Sequence, residues 1–158
     1  THENAEFLTA LNTHAQTLCK LGREDEAEPL FQEALNISRT VLGSEHPGTL
    51  GAVNIYASLL SKFGRHAEAE PFQKELLELA RPVFGSEHPG TLTALSNYAG
   101  TLSKLGHHAE AESLHKEALE LSRRLNGLEH PGTLGCLNDY ADALAELGRD
   151  DETEPLRQ

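Results

Sequence analysis

The stretch His46-Pro47-Gly48-Thr49-Leu50 decides how this chain folds, because it returns unchanged at 88–92 and again at 130–134. Each return comes 42 residues after the last. Laying residues 46–87 over 88–129 gives 25 identities in 42. Residues 4–45 fall into the same frame: Leu8-Thr9-Ala10-Leu11-Asn12 matches Leu50-Gly51-Ala52-Val53-Asn54, and 22–29 matches 64–71. A fixed period of this length marks a repeat array, in which one supersecondary unit stacks on the next. The reading is one repeat domain over 1–158, with units 4–45, 46–87, 88–129 and 130–158, the last short of a full period.

Within a unit the apolar residues recur at helical spacing. Leu50, Val53, Tyr56, Ala57 and Leu60 form one stripe, and Ala69, Phe72, Leu76, Leu79, Ala80 and Val83 form a second. Pro47 suits the first position of a helix, where its missing N–H has no partner to lose. Gly64 and Gly85 suit left-handed stops. The pattern predicts first helices near 6–21, 48–63, 90–105 and 132–147. It predicts second helices near 24–42, 66–84 and 108–126, and a stub from about 150. No segment alternates with period two, so no strand is predicted. Pro82, late in a second helix, is expected to bend or shorten it.

The composition agrees. Of 158 residues 38% are apolar and 5% aromatic, with no Met and no Trp, so Leu and Ala must fill the core. Twenty-five acids against 13 bases give a net charge of −12. That field repels phosphate backbones and anionic lipid, which argues against nucleic-acid and membrane partners. No window approaches eighteen apolar residues, and Thr1-His2-Glu3-Asn4 has no signal-peptide pattern. Cys19 and Cys136 make no disulfide framework and are expected to be free, as in a cytoplasmic protein.

Leu11, His14, Ala15 and Leu18, followed by Ala27, Phe31 and Ala34, resemble the tetratricopeptide repeat pattern. The match recurs at Val53, Tyr56, Ala57, Leu60 and Ala69, and at Leu95, Tyr98, Ala99, Leu102, Ala111 and Ala118. The 42-residue period, the Gly-x-x-His-Pro before the first helix and the Gly-Arg-x-x-Glu-Ala-Glu-Pro of the second resemble the kinesin-light-chain type. That type commonly carries an Asn-Asn pair where this chain has Asn12-Thr13, Asn54-Ile55, Ser96-Asn97 and Asn138-Asp139, so its groove chemistry carries over only in part. The resemblance implies an all-α, right-handed superhelical solenoid of antiparallel hairpins. It further implies a non-enzymatic protein-interaction scaffold that holds a peptide in a concave groove.

Carried over by register, the groove positions are Thr9, Asn12, Gln16, Cys19 and Lys20, then Gly51, Asn54, Ser58, Ser61 and Lys62, then Thr93, Ser96, Gly100, Ser103 and Lys104, then Gly135, Asn138, Asp142, Ala145 and Glu146; of these Asn12, Gln16, Lys20, Asn54, Ser58, Lys62, Ser96, Lys104 and Asn138 are the candidate ligand-binding residues. Lys20, Lys62 and Lys104 share one frame position, which favours an acidic peptide; the same lysines read equally well as solvated surface. The alternative is a segment of a longer or self-assembling repeat array whose main contacts are end-to-end with other copies, because Leu137, Tyr140 and Leu144 have only the short stub to cover them. The partner surface would be Phe7, Leu8 and Leu11 of the next chain. No cofactor is expected. His46, His88 and His130 recur one period apart, too far to share a metal. His66 with Glu70, and His108 with Glu112, read as surface pairs. Ser58, Ser61 and Ser103 have no His–acid neighbours in the frame, so no catalytic site is expected.

Overall fold

A computed structural model of the chain describes residues 2–152 and 154–157. The stub was read to residue 158; residues 153 and 158 of it lie outside the described residues, as does Thr1 at the other end. The chain divides into two compact units, residues 1–65 and 66–158.

The first unit holds α1 (His2–Lys20), α2 (Glu24–Val41) and α3 (Pro47–Lys62). The second holds α4 (His66–Phe84), α5 (Pro89–Lys104), α6 (His108–Asn126), α7 (Pro131–Glu146), a short 3-10 turn (Asp150–Glu152) and α8 (Glu154–Arg157). No strand occurs among the described residues. α1 begins earlier than the pattern predicts. Asn4 and Ala5 stand where His46 and Pro47 start α3, and without that cap and proline the helix runs on toward the N-terminus. α4 is not shortened by Pro82: it has the same 19 residues as α6, and the proline, which removes its own amide bond, has only Val83 and Phe84 of the helix after it.

The recurring pentapeptide works one residue at a time. His46, His88 and His130 each precede a helix in extended conformation, and each imidazole Nδ1 accepts the N–H of the glycine two residues on, at 3.0, 2.9 and 3.0 Å. The histidine therefore caps the helix by accepting one of its free amides. Proline occupies the first turn. The glycine leaves room for the ring: a Cβ on Gly90 would lie 3.0 Å from His88 Nδ1 and 3.1 Å from the Phe84 ring. That ring is itself stacked on His88, with centroids 4.8 Å apart. Thr49, Thr91 and Thr133 are at most 2% exposed. Their hydroxyls meet backbone carbonyls at the end of the preceding helix: Thr49 donates to Ser38 at 3.1 Å, Thr91 to Gly85 at 2.7 Å and Thr133 to Ser122 at 3.3 Å.

Glycine ends the first helices as the pattern predicts. Gly64 has φ +76°; its N–H meets Ser61 O at 3.0 Å, and the next amide, Arg65, meets Leu60 O at 2.9 Å. This paired closure satisfies carbonyls that the helix end would leave open. The core is built where small residues let helices approach. Ala15 and Ala27 are fully buried between α1 and α2, and Ala99 and Ala111 between α5 and α6. The stripe Leu50, Val53, Tyr56, Ala57 and Leu60 is at most 6% exposed.

Gly51 and Gly90 separate two uses of glycine. Nothing lies within 4 Å of a Cβ built on Gly51, which is exposed in α3. Gly51→Ala is expected to stabilise the fold by about 0.5–1 kcal/mol, the helix preference for alanine. Gly90→Ala must push His88 off its cap and is expected to fall about 1 kcal/mol below Gly51→Ala. Urea unfolding of the two variants measures the difference, and equal stabilities would deny the cap its role.

Candidate functional site

In the first unit the register residues line the outward sides of α1 and α3. Gln16, Lys20, Ser58 and Lys62 are exposed, and Asn12 and Asn54 are half-buried. Lys20 and Lys62 stand in the last turns of their helices, where a cation is favoured by the helix dipole.

In the second unit, Ser96 is half-buried, and Lys104 and Asn138 are exposed. A pocket of about 370 Å3 opens among α5, α6 and α7. It gathers Gly100, Ser103, Lys104, Asp142 and Glu146, all anticipated from the register, but its lining includes neither Ser96 nor Asn138. It also gathers His108, His115, Asp139 and Ala143, which the register did not single out. His115 comes from a second helix, at the frame position held by Phe31 and Gln73, both buried. A polar residue on the apolar stripe of a second helix was the available signal.

His115 is 5% exposed, and its Nε2 lies 3.3 Å from Ser103 Oγ. Burial pushes its pKa down, while the charges of Asp139 and Asp142 oppose the shift. Asp139 is pushed up, chiefly by loss of solvent, with the nearby His115 opposing and Asp142 adding to the shift. Ser103 therefore does have a histidine and acids nearby, contrary to the frame reading. The tertiary fold brings His115 in from the neighbouring helix. Ser103 sits inside α5, where the surrounding backbone amides are engaged in the helix and form no oxyanion hole.

A second recurring arrangement flanks these faces. In the first unit Tyr56 donates to Glu28 at 3.3 Å, and Arg65 pairs with the other carboxylate oxygen at 2.8 Å. The Arg65 guanidinium holds the Glu28 carboxyl below the usual range against the opposing effect of burial. In the second unit Tyr98 donates to Glu70 at 3.3 Å. Its phenol is pushed up to about 12 by burial and by the Glu70 charge. Arg149 lies 3.4 Å from Glu112. This last pair corrects a predicted one: His108 is not the partner of Glu112, and its Nε2 lies 3.9 Å from Glu146 instead. Reach across helices has replaced the four-residue spacing along one helix.

The covering of the last first helix also departs from expectation. Leu144 is 1% exposed, and Leu137 and Tyr140 are half-buried, so the expected apolar patch reduces mainly to Leu134, 47% exposed. At the other end Leu8 is buried and Leu11 half-buried, while Phe7 is 49% exposed. Cys19 and Cys136 are free. Among the described residues no three His, Cys, Asp or Glu side chains are disposed to hold a metal, and no helix is long and apolar enough to cross a membrane.

The pKa of His115 sets a pH dependence. The folded value lies below the unfolded one, so the unfolded chain takes up the proton more readily. The resulting loss of stability grows as pH falls below about 6.5 and is absent well above it. His115→Phe, which places at 115 the residue type found at 31, is expected to lose less stability than the parent between pH 8 and pH 5.5. Denaturant titrations at the two pH values test this. Identical losses would mean that His115 is already solvated.

Comparison with known proteins follows the same geometry. Tetratricopeptide repeat family profiles match residues 7–48 and, overlapping, 50–123 and 97–154. Among curated proteins there is no sequence match. Crystal structures of a Podosopora anserina protein described as kinesin light chain nearly identical TPR-like repeats superpose well. A variant form gives a TM-score of 0.88 at 24% identity, over 99% of this chain and 73% of that one. Another form gives 0.85 at 24% identity, over 94% and 71%. BtubC (BKLC) from P. vanneervenii gives 0.87 at 18% identity, over 97% and 61%. The fold is thus that of an all-α helical-repeat solenoid of the kinesin-light-chain type, and the chain belongs to the tetratricopeptide repeat family.

Proposed function

We propose that this chain is a non-enzymatic protein-interaction scaffold that holds an extended segment of a partner against the outward sides of its first helices. In the first unit, carboxylates of that segment meet Lys20 and Lys62. The observation that carries the reading is the division of α1 and α3 into two sides. Leu18, Leu50, Val53 and Leu60 are buried, while Gln16, Lys20, Ser58 and Lys62 face solvent. Repeats of this family serve protein–protein interaction in general, which supports the scaffold; the acidic character of the segment rests on the lysines. Lys104 supports it less, since it shares its pocket with three carboxylates. The two free cysteines suit a reducing, cytosolic-type compartment.

Peptides enriched from a random display library against the full chain provide the test. Lys20→Glu with Lys62→Glu is expected to weaken acidic peptides by about tenfold or more, with a steep salt dependence in the parent. Lys116→Glu, on the exposed side of α6, is the control. Helicity and melting should hardly change, because exposed charges contribute little to folding. Unchanged affinity in the double variant would remove the acidic segment from the reading.

A specific observation favours a second reading, end-to-end stacking. Phe7, Ala10, His14 and Thr17 of α1 are exposed, whereas the residues one period later, Thr49, Ala52, Tyr56 and Leu59, are buried. α1 thus presents bare the face that α3 covers with α2, a face that a preceding repeat or another copy would cover alike. If copies stack there, the sedimenting mass rises with concentration, and Phe7→Glu with Ala10→Glu restores the monomer. A parent mass independent of concentration would dismiss stacking.

A further inference from the structure

The opening turn of each returning first helix depends on a neutral imidazole. A helix begins with amides that no carbonyl within it can take. In α3 they are accounted for one by one. Pro47 has no N–H, the amides of Thr49 and Leu50 meet His46 O at 2.9 and 3.0 Å, and the Gly48 amide is left to His46 Nδ1 at 3.0 Å. α5 repeats the scheme, with Thr91 and Leu92 on His88 O at 3.0 and 3.1 Å and Gly90 on His88 Nδ1 at 2.9 Å. In α7, Leu134 meets His130 O at 3.0 Å, and Gly132 meets His130 Nδ1, also at 3.0 Å. A histidine before a helix is not enough: His107 precedes α6 and makes no cap bond with its side chain.

An imidazole accepts at Nδ1 only while that nitrogen carries no proton. A proton there sets one N–H against another and places a cation at the positive end of the helix dipole. The charged groups at the three caps act in both directions. Glu45, Glu87 and Glu129 precede the histidines and favour a charged ring, but all three are exposed and screened by solvent and salt. Glu87 is also held by Arg124 of α6 at 3.0 Å. Arg39, Arg81, Arg123 and Arg124, in the last turns of the preceding helices, oppose the charged ring.

We propose that His46, His88 and His130 act together as a pH-sensitive clasp. Below about pH 6.5, where an imidazole takes up its proton, the rings release the glycine amides and the start of each first helix loosens. The proton is taken up more readily once the cap is open. The stability the caps contribute is therefore full well above pH 6.5 and is lost as pH falls through it. The loosened turns carry Thr49, Thr91 and Thr133, whose buried hydroxyls tie α3, α5 and α7 to the helices before them, so acid acts on the joints between successive hairpins. The inference stands apart from the scaffold reading.

The test compares the full chain with a variant carrying His46→Asn, His88→Asn and His130→Asn together. Asparagine caps a helix without a titrating group. His115 is common to both chains, so its own proton cancels. Urea unfolding is expected to find the two nearly equal at pH 8 and the variant more stable at pH 5.5, a gain that misfolding cannot imitate. Hydrogen exchange reads the caps singly. At pH 5.5 the Gly48, Gly90 and Gly132 amides are expected to exchange about fivefold faster in the parent than in the variant, the worth of one cap, and at pH 8 at similar rates. Nitrogen-15 spectra of the parent rings at pH 8 are expected to show Nδ1 unprotonated in all three. His107→Asn is the control and leaves the acid loss unchanged. Equal losses in parent and variant between pH 8 and pH 5.5, exchange ratios that do not change with pH, or rings that carry their proton on Nδ1 at pH 8 would each overturn the proposal.

Discussion

A buried threonine hydroxyl at the start of each returning first helix sets the geometry on which the repeats depend. Thr49, Thr91 and Thr133 are nearly sealed from solvent, and each donates to a backbone carbonyl at the end of the preceding helix. A hydroxyl sealed from solvent needs a partner, and leaving it unpaired costs about as much as a lost hydrogen bond. The threonine can reach only if the chain turns within a few residues. The His-capped, proline-started helix provides that turn, and glycine leaves the space in which the imidazole folds back. The pentapeptide recurs unchanged because its capping, space and burial requirements are coupled.

On this scaffold, chemical individuality comes from departures from the repeat. Position 31 of the frame is Phe in the first period, Gln in the second and His in the third. All three are buried, yet only the histidine puts a titratable ring into a pocket wall. The tyrosine–glutamate contact is kept at Tyr56–Glu28 and Tyr98–Glu70, whereas the arginine that completes it at Arg65 is His107 one period later. A uniform array would offer uniform surfaces. Substitutions at fixed frame positions allow neighbouring hairpins to present different charge without disturbing the helices beneath.

The two units differ accordingly. In the first, lysines end both first helices, and the outward surface is cationic at that level. In the second, the corresponding level carries Lys104 on α5 but Glu146 on α7, with Asp139 and Asp142 close by.

Much of the architecture was legible in the sequence, since helical periodicity, glycine stops and a 42-residue recurrence are local or additive signals. The boundaries of α2 to α7 fell within a residue or two of the pattern, and the buried stripe of α3 was read residue by residue. α1 was misjudged because its frame lacks the histidine and proline that mark the other starts. The candidate site was legible only in part. Lys104, Ser103, Asp142 and Glu146 follow from register along first helices, but His115 enters from a second helix, and the Ser103–His115 contact joins residues twelve apart on different helices. His108 likewise faces Glu146 rather than Glu112, its neighbour one turn along α6. Sequence periodicity states which side of a helix a residue occupies. Only the packing of helix against helix decides which side chains from different helices share a pocket, because that depends on crossing distances and on how deeply the small alanines let the helices approach.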